Sequence, residues 1–199
     1  MRRLILEEWL SLDGFAVDRD GELDFFPESE ADRFSDKDQL EFLDSVDTIL
    51  LGRRTYELFV DYWPTATADK EVIADRLNTI PKLVFSNSLS EAPWGSWPPA
   101  QVVRGNAVAE IKRLKAQEGK HLVLWGSLSL AQDLIDADLI DEYHLQICPT
   151  AVGAAGHCSP VCGATRGSNA PTCGPTTRAS CSCITNRNGT SSSSAHTHR

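Results

Sequence analysis

The sequence predicts an α/β domain with a largely parallel sheet over residues 1–153, followed by a tail that builds no strand of that sheet. Three observations carry this. Short apolar runs alternate with segments of helical periodicity, the signature of parallel strands joined by crossover helices. Two of the runs end in a glycine and pass at once into a helix, at Gly52 and at Gly126. Just after Gly153 the composition changes abruptly.

The elements follow in order. Leu4 to Leu12 reads as a mostly buried strand, ended by Asp13-Gly14 and followed by a polar loop with Asp18, Asp20 and Gly21. Ser35 is placed to cap a helix carrying Leu40, Phe42 and Leu43. Thr48 to Leu51 is a strand, and Thr55 to about Tyr62 is a helix that stops before Pro64. A further helical piece covers Lys70 to Leu77, Lys82 to Ser86 is a strand, Trp94 to Pro99 is a loop, and Gln101 to Val103 is a short strand. Asn106 caps a helix with Val108, Ile111 and Leu114 on one face. His121 to Trp125 is a strand, Gly126-Ser127 turns into a helix with Leu128, Ala131, Leu134 and Ile135, and Glu142 to Cys148 is the last strand.

Composition limits the functions available. The net charge of −9 leaves no broad basic face for nucleic acid. No run approaches the ~20 apolar residues of a membrane span. The start, Met1-Arg2-Arg3 followed by Leu4-Ile5-Leu6, is too briefly apolar for a signal peptide, and Glu7 and Glu8 interrupt it, so a cytoplasmic location is expected.

All 28 acidic residues lie at or before Glu142. From His157 on, the only branched aliphatics are Val161 and Ile184, and Ser, Thr, Gly, Pro, Asn and Cys dominate. Residues 154–199 therefore read as a Cys/Ser/Thr-rich tail, disordered because it has too little apolar surface to offset the entropy of ordering. Its cysteines Cys158, Cys162, Cys173, Cys181 and Cys183 lack the paired knuckle spacing of a zinc site, so no metal is expected. The abrupt switch suggests translation out of frame. An alternating apolar pattern in another frame of the coding DNA after codon 153 would support this, and its absence would sink it.

The two strand-to-helix junctions are the candidate chemistry. A helix N-terminus offers free N–H groups and a partial positive charge, which suits phosphate. At Gly52-Arg53-Arg54-Thr55 two guanidinium groups stand beside such a start, and Gly126-Ser127 makes a second. Ser86 and Ser88, at a third strand end, add small hydroxyls suited to a ribose or its phosphate. In a doubly wound sheet these ends line the ligand crevice. Neither junction is a Gly-x-Gly-x-x-Gly fingerprint or a Walker loop.

Gly52-Arg53-Arg54-Thr55-Tyr56-Glu57 resembles the Gly-Arg-x-Thr-[Trp/Tyr]-Glu segment of dihydrofolate reductases. Leu122 to Ser127, Leu134 to Tyr143, and Ile147-Cys148-Pro149 resemble the reductase domain of riboflavin biosynthesis, which shares the dihydrofolate reductase fold, as does Ser11-Leu12-Asp13-Gly14-Phe15. The resemblance covers residues 1–153. It implies a reductase that transfers a hydride from NADPH to a small heterocycle, a pterin such as dihydrofolate or the ribosylaminouracil phosphate of riboflavin biosynthesis. The alternative is a non-catalytic nucleotide-binding protein of the same fold.

By the resemblance, Gly52, Arg53, Arg54 and Thr55 hold cofactor phosphates, Gly126 and Ser127 contact the pyrophosphate, and Ser86 and Ser88 lie near the adenosine ribose. Trp125 stands where dihydrofolate reductases usually have the first glycine of a pair. The proton donor falls to Asp36 or Asp38 on the first helix, with Asp13 as a rival. A homodimer is implied. The family's final pair of strands is replaced by the tail, leaving an open sheet edge.

Overall fold

The computed structural model describes residues 2–18, 20, 23–24, 36–153 and 181–186, the last six and residues 36–37 by their backbone. Among these residues eight strands and five α-helices are laid out as β1 (Leu4–Leu10), α1 (Asp36–Asp44), β2 (Val46–Gly52), α2 (Arg53–Tyr62), α3 (Ala74–Thr79), β3 (Lys82–Phe85), β4 (Ala92–Trp94), β5 (Trp97–Val103), α4 (Ala107–Lys115), β6 (His121–Trp125), α5 (Leu128–Asp136), β7 (Glu142–Ile147) and β8 (Cys181–Asn186). Ser35, the expected helix cap, lies outside the described residues.

One sheet runs β4-β5-β3-β2-β6-β1-β7-β8. Its six inner strands are parallel, and an antiparallel strand closes each edge. The parallel strands are apolar on both faces because helices cover both. On one face Leu4, Leu6, Leu122 and Leu124 pack against Ile111 and Leu114 of α4 and Leu130 and Leu134 of α5. On the other, Ile49, Leu51, Val84 and Val123 pack against Leu43 of α1, Tyr56 of α2 and Leu77 of α3. Asn106 caps α4 as expected, its Oδ1 accepting the Ala109 N–H at 3.0 Å.

Three stretches differ from the sequence reading. The helix expected from Lys70 forms only at Ala74–Thr79. The loop expected over Trp94 to Pro99 is a hairpin, in which β4 turns at Gly95 (φ +58°) into a seven-residue β5. Pro98 and Pro99 lack N–H donors and read as loop, yet β4 pairs with this first part of β5 at the sheet edge, where a missing donor is tolerated. In the tail, residues 181–186 pair antiparallel with β7, from Glu142↔Asn186 to Ile147↔Cys181. This stretch contains Ile184, one of the tail's two branched aliphatics, and it covers the edge that β7 would otherwise expose.

A buried cation holds the end of α3. Lys82 Nζ donates to the carbonyls of Leu77 (2.8 Å), Asn78 (3.1 Å) and Ile80 (2.8 Å) and lies 4.6 Å from the Trp94 ring centroid. Burial pushes its pKa down to about 7. The four contacts are those an ammonium makes best, with carbonyls at a helix C-terminus and an aromatic face. Lys82→Met should lower the unfolding free energy by about 2–3 kcal/mol, because it leaves buried carbonyls unpaired. The urea midpoint measures this, and an unchanged midpoint would show that the contacts add no stability.

Candidate functional site

The sheet has a switch point between its neighbouring strands β2 and β6. From β2 the chain moves through α2 and α3 to β3 on one side, and from β6 it moves through α5 to β7 beyond β1 on the other. Ligands of open α/β sheets bind outside the carboxyl ends of the strands at such a point. Gly52 ends β2 and Trp125 ends β6, so the two junctions singled out in the sequence meet there.

They are locked to each other. The Ser127 hydroxyl accepts the Gly52 N–H at 2.7 Å and donates to the Trp125 carbonyl at 2.8 Å, and the Ser127 N–H donates to Thr55 Oγ1 at 3.0 Å. The approach is tight on both sides. A Cβ on Gly52 would sit 3.2 Å from Ser127 Cβ, and one on Gly126 would sit 3.3 Å from Thr55 Oγ1. Gly126 (φ +51°) and Ser127 (φ +62°) are both left-handed, which turns the chain sharply from β6 into α5. The Thr55 and Ser127 hydroxyls, expected to face a ligand, thus hold the junctions together. The first N–H groups of α2 and α5 have no side-chain cap and remain available as donors.

A cavity of about 1350 Å³ opens here, more than the ~300–1,000 Å³ of a drug-sized pocket. All eight residues expected to bind the cofactor line it: Gly52, Arg53, Arg54, Thr55, Ser86, Ser88, Gly126 and Ser127. Arg53 pairs with Glu57 one turn along at 2.9 Å, whereas Arg54 makes no ion pair among the described residues. Ser86 Oγ accepts the N–H groups of Ser88 (3.2 Å) and Leu89 (3.1 Å), which shapes the β3 end into a compact turn.

Of the carboxylates expected to donate a proton, Asp13 and Asp38 do not line the cavity. Asp38 is exposed on α1, and the side chain of Asp36 lies outside what is described. Asp13 accepts from the Ser11 hydroxyl at 2.7 Å and from the N–H groups of Val152 and Gly153 at 3.2 and 2.9 Å, tying the loop after β1 to the loop after β7. The Ser11 bond and these N–H groups hold its pKa below the usual range. The wall that α1 contributes is Gln39, one residue beyond Asp38.

In their place are two acids of β1. Glu7 is 5% and Glu8 8% exposed, and both line the cavity. As neighbours on a strand they face opposite sides of the sheet. Glu7 Oε1 accepts from Gln39 Nε2 at 2.8 Å, and Oε2 of each acid is buried without a hydrogen-bond partner among the described residues. Burial raises the Glu7 pKa against hydrogen bonds from Trp125 and Gln39 and the field of His144. Burial also pushes Glu8 up to about 8, opposed by the Trp9 N–H and reinforced by Glu7. The sequence carried a signal for both, since two acids inside an apolar strand run are rarely buried without a partner.

Aromatic side chains also line the cavity. Trp125, beside Glu7, lies 5.7 Å centroid to centroid from Phe59 of α2, which lies 6.2 Å from Trp63.

The sequence model of the RibD C-terminal domain family matches residues 2–165. Two proteins of Bacillus subtilis (strain 168) are similar along most of their length. The uncharacterized protein YyaP is 32% identical over 155 residues, 76% of this chain and 77% of its own. The uncharacterized protein YwjB is 28% identical over 155 residues, 77% of this chain and 80% of its own. Among solved structures, a putative riboflavin biosynthesis protein from Shewanella sp. PV-4 superposes with a TM-score of 0.61 at 24% identity, covering 77% of this chain and 80% of that one. A pyrimidine reductase-like protein from Corynebacterium diphtheriae does so with a TM-score of 0.62 at 14% identity, covering 93% and 91%. These last two likenesses speak for the fold. The extent of the family match makes this chain a member of the RibD C-terminal domain family, with the α/β fold that the two superposed structures share.

Proposed function

We propose that residues 1–153 form an NADPH-dependent reductase acting on a small heterocycle, a pterin or a ribosylaminopyrimidine. The observation that carries it is the meeting of the Gly52 and Gly126 junctions at the switch point, with Arg53 and Arg54 on the same cavity. The donor set fits a dinucleotide: two uncapped helix starts supply N–H groups for a pyrophosphate, and the guanidinium groups suit a further phosphate. Ser86 and Ser88 face the same space from the end of β3.

When bound, NADPH supplies the hydride. The chain's own part is orientation and proton supply. Trp125 and Phe59, whose planes are tilted 47° to each other, offer apolar faces against one of which a ring stacks. Glu7, on the side of the sheet that carries Trp125 and with its pKa raised by burial, offers a proton to a ring nitrogen as the neighbouring carbon is reduced. Gln39 Nε2 donates to Glu7 Oε1 and so orients that carboxyl. Asp13 and Asp38 take no part in this reading. Activity that needs protonated Glu7 should fall as pH rises through the raised pKa of that acid. A pH-independent rate would remove Glu7 from this role.

NADPH oxidation with a panel of dihydropterins and ribosylaminopyrimidines tests the reading. Turnover supports a reductase, and binding without turnover supports a nucleotide-binding protein of the same fold. Arg53→Ala with Arg54→Ala should weaken NADPH by roughly 10- to 100-fold, at ~1.5–3 kcal/mol for a charge-assisted contact, and weaken NADH less. Fluorescence titration of both cofactors reads this, and equal losses would take the arginines away from the 2′-phosphate.

A further inference from the structure

On the other side of Glu7 from Trp125 stands a pair of side chains that has no part in the cavity wall. β1 and β7 run parallel, with Glu7 opposite His144 and Ile5 opposite Glu142. Matching positions of neighbouring parallel strands share a face and stand about 5 Å apart at the backbone. Glu142 and His144, two residues apart on β7, therefore share the face of Glu7. The helix α1 covers that face. Its Gln39 donates to Glu7 at 2.8 Å, and its Phe42 ring lies 4.8 Å from the His144 ring.

The imidazole is fixed in place. His144 Nε2 lies 2.9 Å from Glu142 Oε1, and Glu142 Oε2 accepts from Arg3 Nη1 at 2.6 Å. A carboxylate paired with an arginine accepts and does not donate, so the ring nitrogen that faces it carries a proton. Both side chains are largely buried, at 15% and 12% exposed, and water screens such a pair little.

We propose that His144, held by Glu142, is a positioning residue for Glu7 that sets how tightly this acid keeps its proton. The inference rests on the reading of Glu7 as proton donor and names the group that tunes it.

Burial favours the neutral form of Glu7, and a cation beside it favours the carboxylate. His144 is the one cation that acts on Glu7 among the described residues. The other elements bring none to that face. On α1 the contact is Gln39, while Asp38, Glu41 and Asp44 are exposed. On β6 the matching position is Trp125. On β8 the positions that match Glu142, His144 and Gln146 are Asn186, Ile184 and Ser182, none of which titrates. Glu8 stands on the opposite face of β1, and Arg3 is engaged by Glu142 and His121. An acid relieved of part of the effect of burial gives up its proton more readily, which a proton donor requires.

A neutral amide in place of the imidazole tests this on the full chain. Glu7 is followed by 13C NMR of labelled glutamate, its resonance assigned by its loss in Glu7→Gln. In His144→Gln the Glu7 carboxyl should titrate about half a pH unit or more above its wild-type midpoint, the effect of losing one nearby cation. NADPH affinity, read by fluorescence, should stay unchanged, because His144 does not line the cavity. The fall of the reduction rate with rising pH should move up by the same amount as the midpoint. His144→Asn repeats the measurement, and circular dichroism shows that each variant is folded. An unmoved Glu7 midpoint in the folded variants would overturn the inference, whatever the turnover. A moved midpoint with no heterocycle reduced, or with an unmoved rate profile, would take the donor role from Glu7 and still support the hold of His144 on it.

Discussion

Glu8→Gln is expected to flatten the pH dependence of stability across the neutral range. Glu8 takes a pKa of about 8 in the fold against the ordinary 4.5 of a glutamate, so the native state holds its proton where the unfolded chain has released it. Stability from this group is therefore full below about pH 4.5 and falls as pH rises through the window up to about 8. One pKa unit corresponds to ~1.4 kcal/mol, so the 2.5 units between pH 4.5 and pH 7 amount to about 3 kcal/mol. Glutamine has no proton to lose and lacks this fall. Glu7, whose pKa is also raised by burial, changes stability in the same direction, and His121, whose pKa is lowered, in the opposite one. Both are common to the two proteins and cancel in the difference. Urea unfolding of wild type and variant at pH 5 and pH 7 gives that difference. Parallel losses in the two proteins would show that Glu8 ionises freely in the fold.

The second large effect belongs to Gly126. Gly126→Val should destabilise the domain by about 2–4 kcal/mol and abolish dinucleotide binding. A β-branched residue at φ +51° is strained, at ~1–2 kcal/mol for an ordinary side chain and more for valine. Its Cβ would lie 3.3 Å from Thr55 Oγ1, and valine's two further methyl groups overpack the junction, adding ~1–3 kcal/mol. Displacing Thr55 removes the acceptor of the Ser127 N–H and so misplaces the first turn of α5. Thermal unfolding and NADPH titration report the two consequences separately. A variant that melts lower yet binds NADPH normally would mean that the α5 start does not serve the cofactor.

How much of this was legible before the structure differs from residue to residue. The junctions at Gly52 and Gly126 were readable because a strand run, a glycine and a helix pattern lie within a few residues of each other. That they touch, through Ser127 and the backbone of Gly52, depends on β2 and β6 being neighbours, and that order is a property of the whole sheet. Glu7 and Glu8 were visible as acids in an apolar run and weighed only against a signal peptide. Their burial follows from the position of β1 in the middle of the sheet, which local periodicity does not encode. Asp38 has the right residue type and spacing, but α1 turns Gln39 toward the cavity and Asp38 toward water. The hairpin at Gly95 was hidden because Pro98 and Pro99 are poor strand residues except at an edge.

The central place of β1 also sets an order of events. Its neighbours are β6 and β7, and Leu4 pairs with Leu122, so the strand made first has its partners among the last made. At ~5–20 residues per second, a ribosome leaves β1 without a neighbour for about 6–24 s after it emerges. During that time an apolar strand with two open edges is exposed to other nascent chains and to chaperones. Contacts of such long sequence separation also slow refolding. Any fragment ending before His121 lacks both neighbours of β1, so in the first half of the chain this strand has no sheet to join.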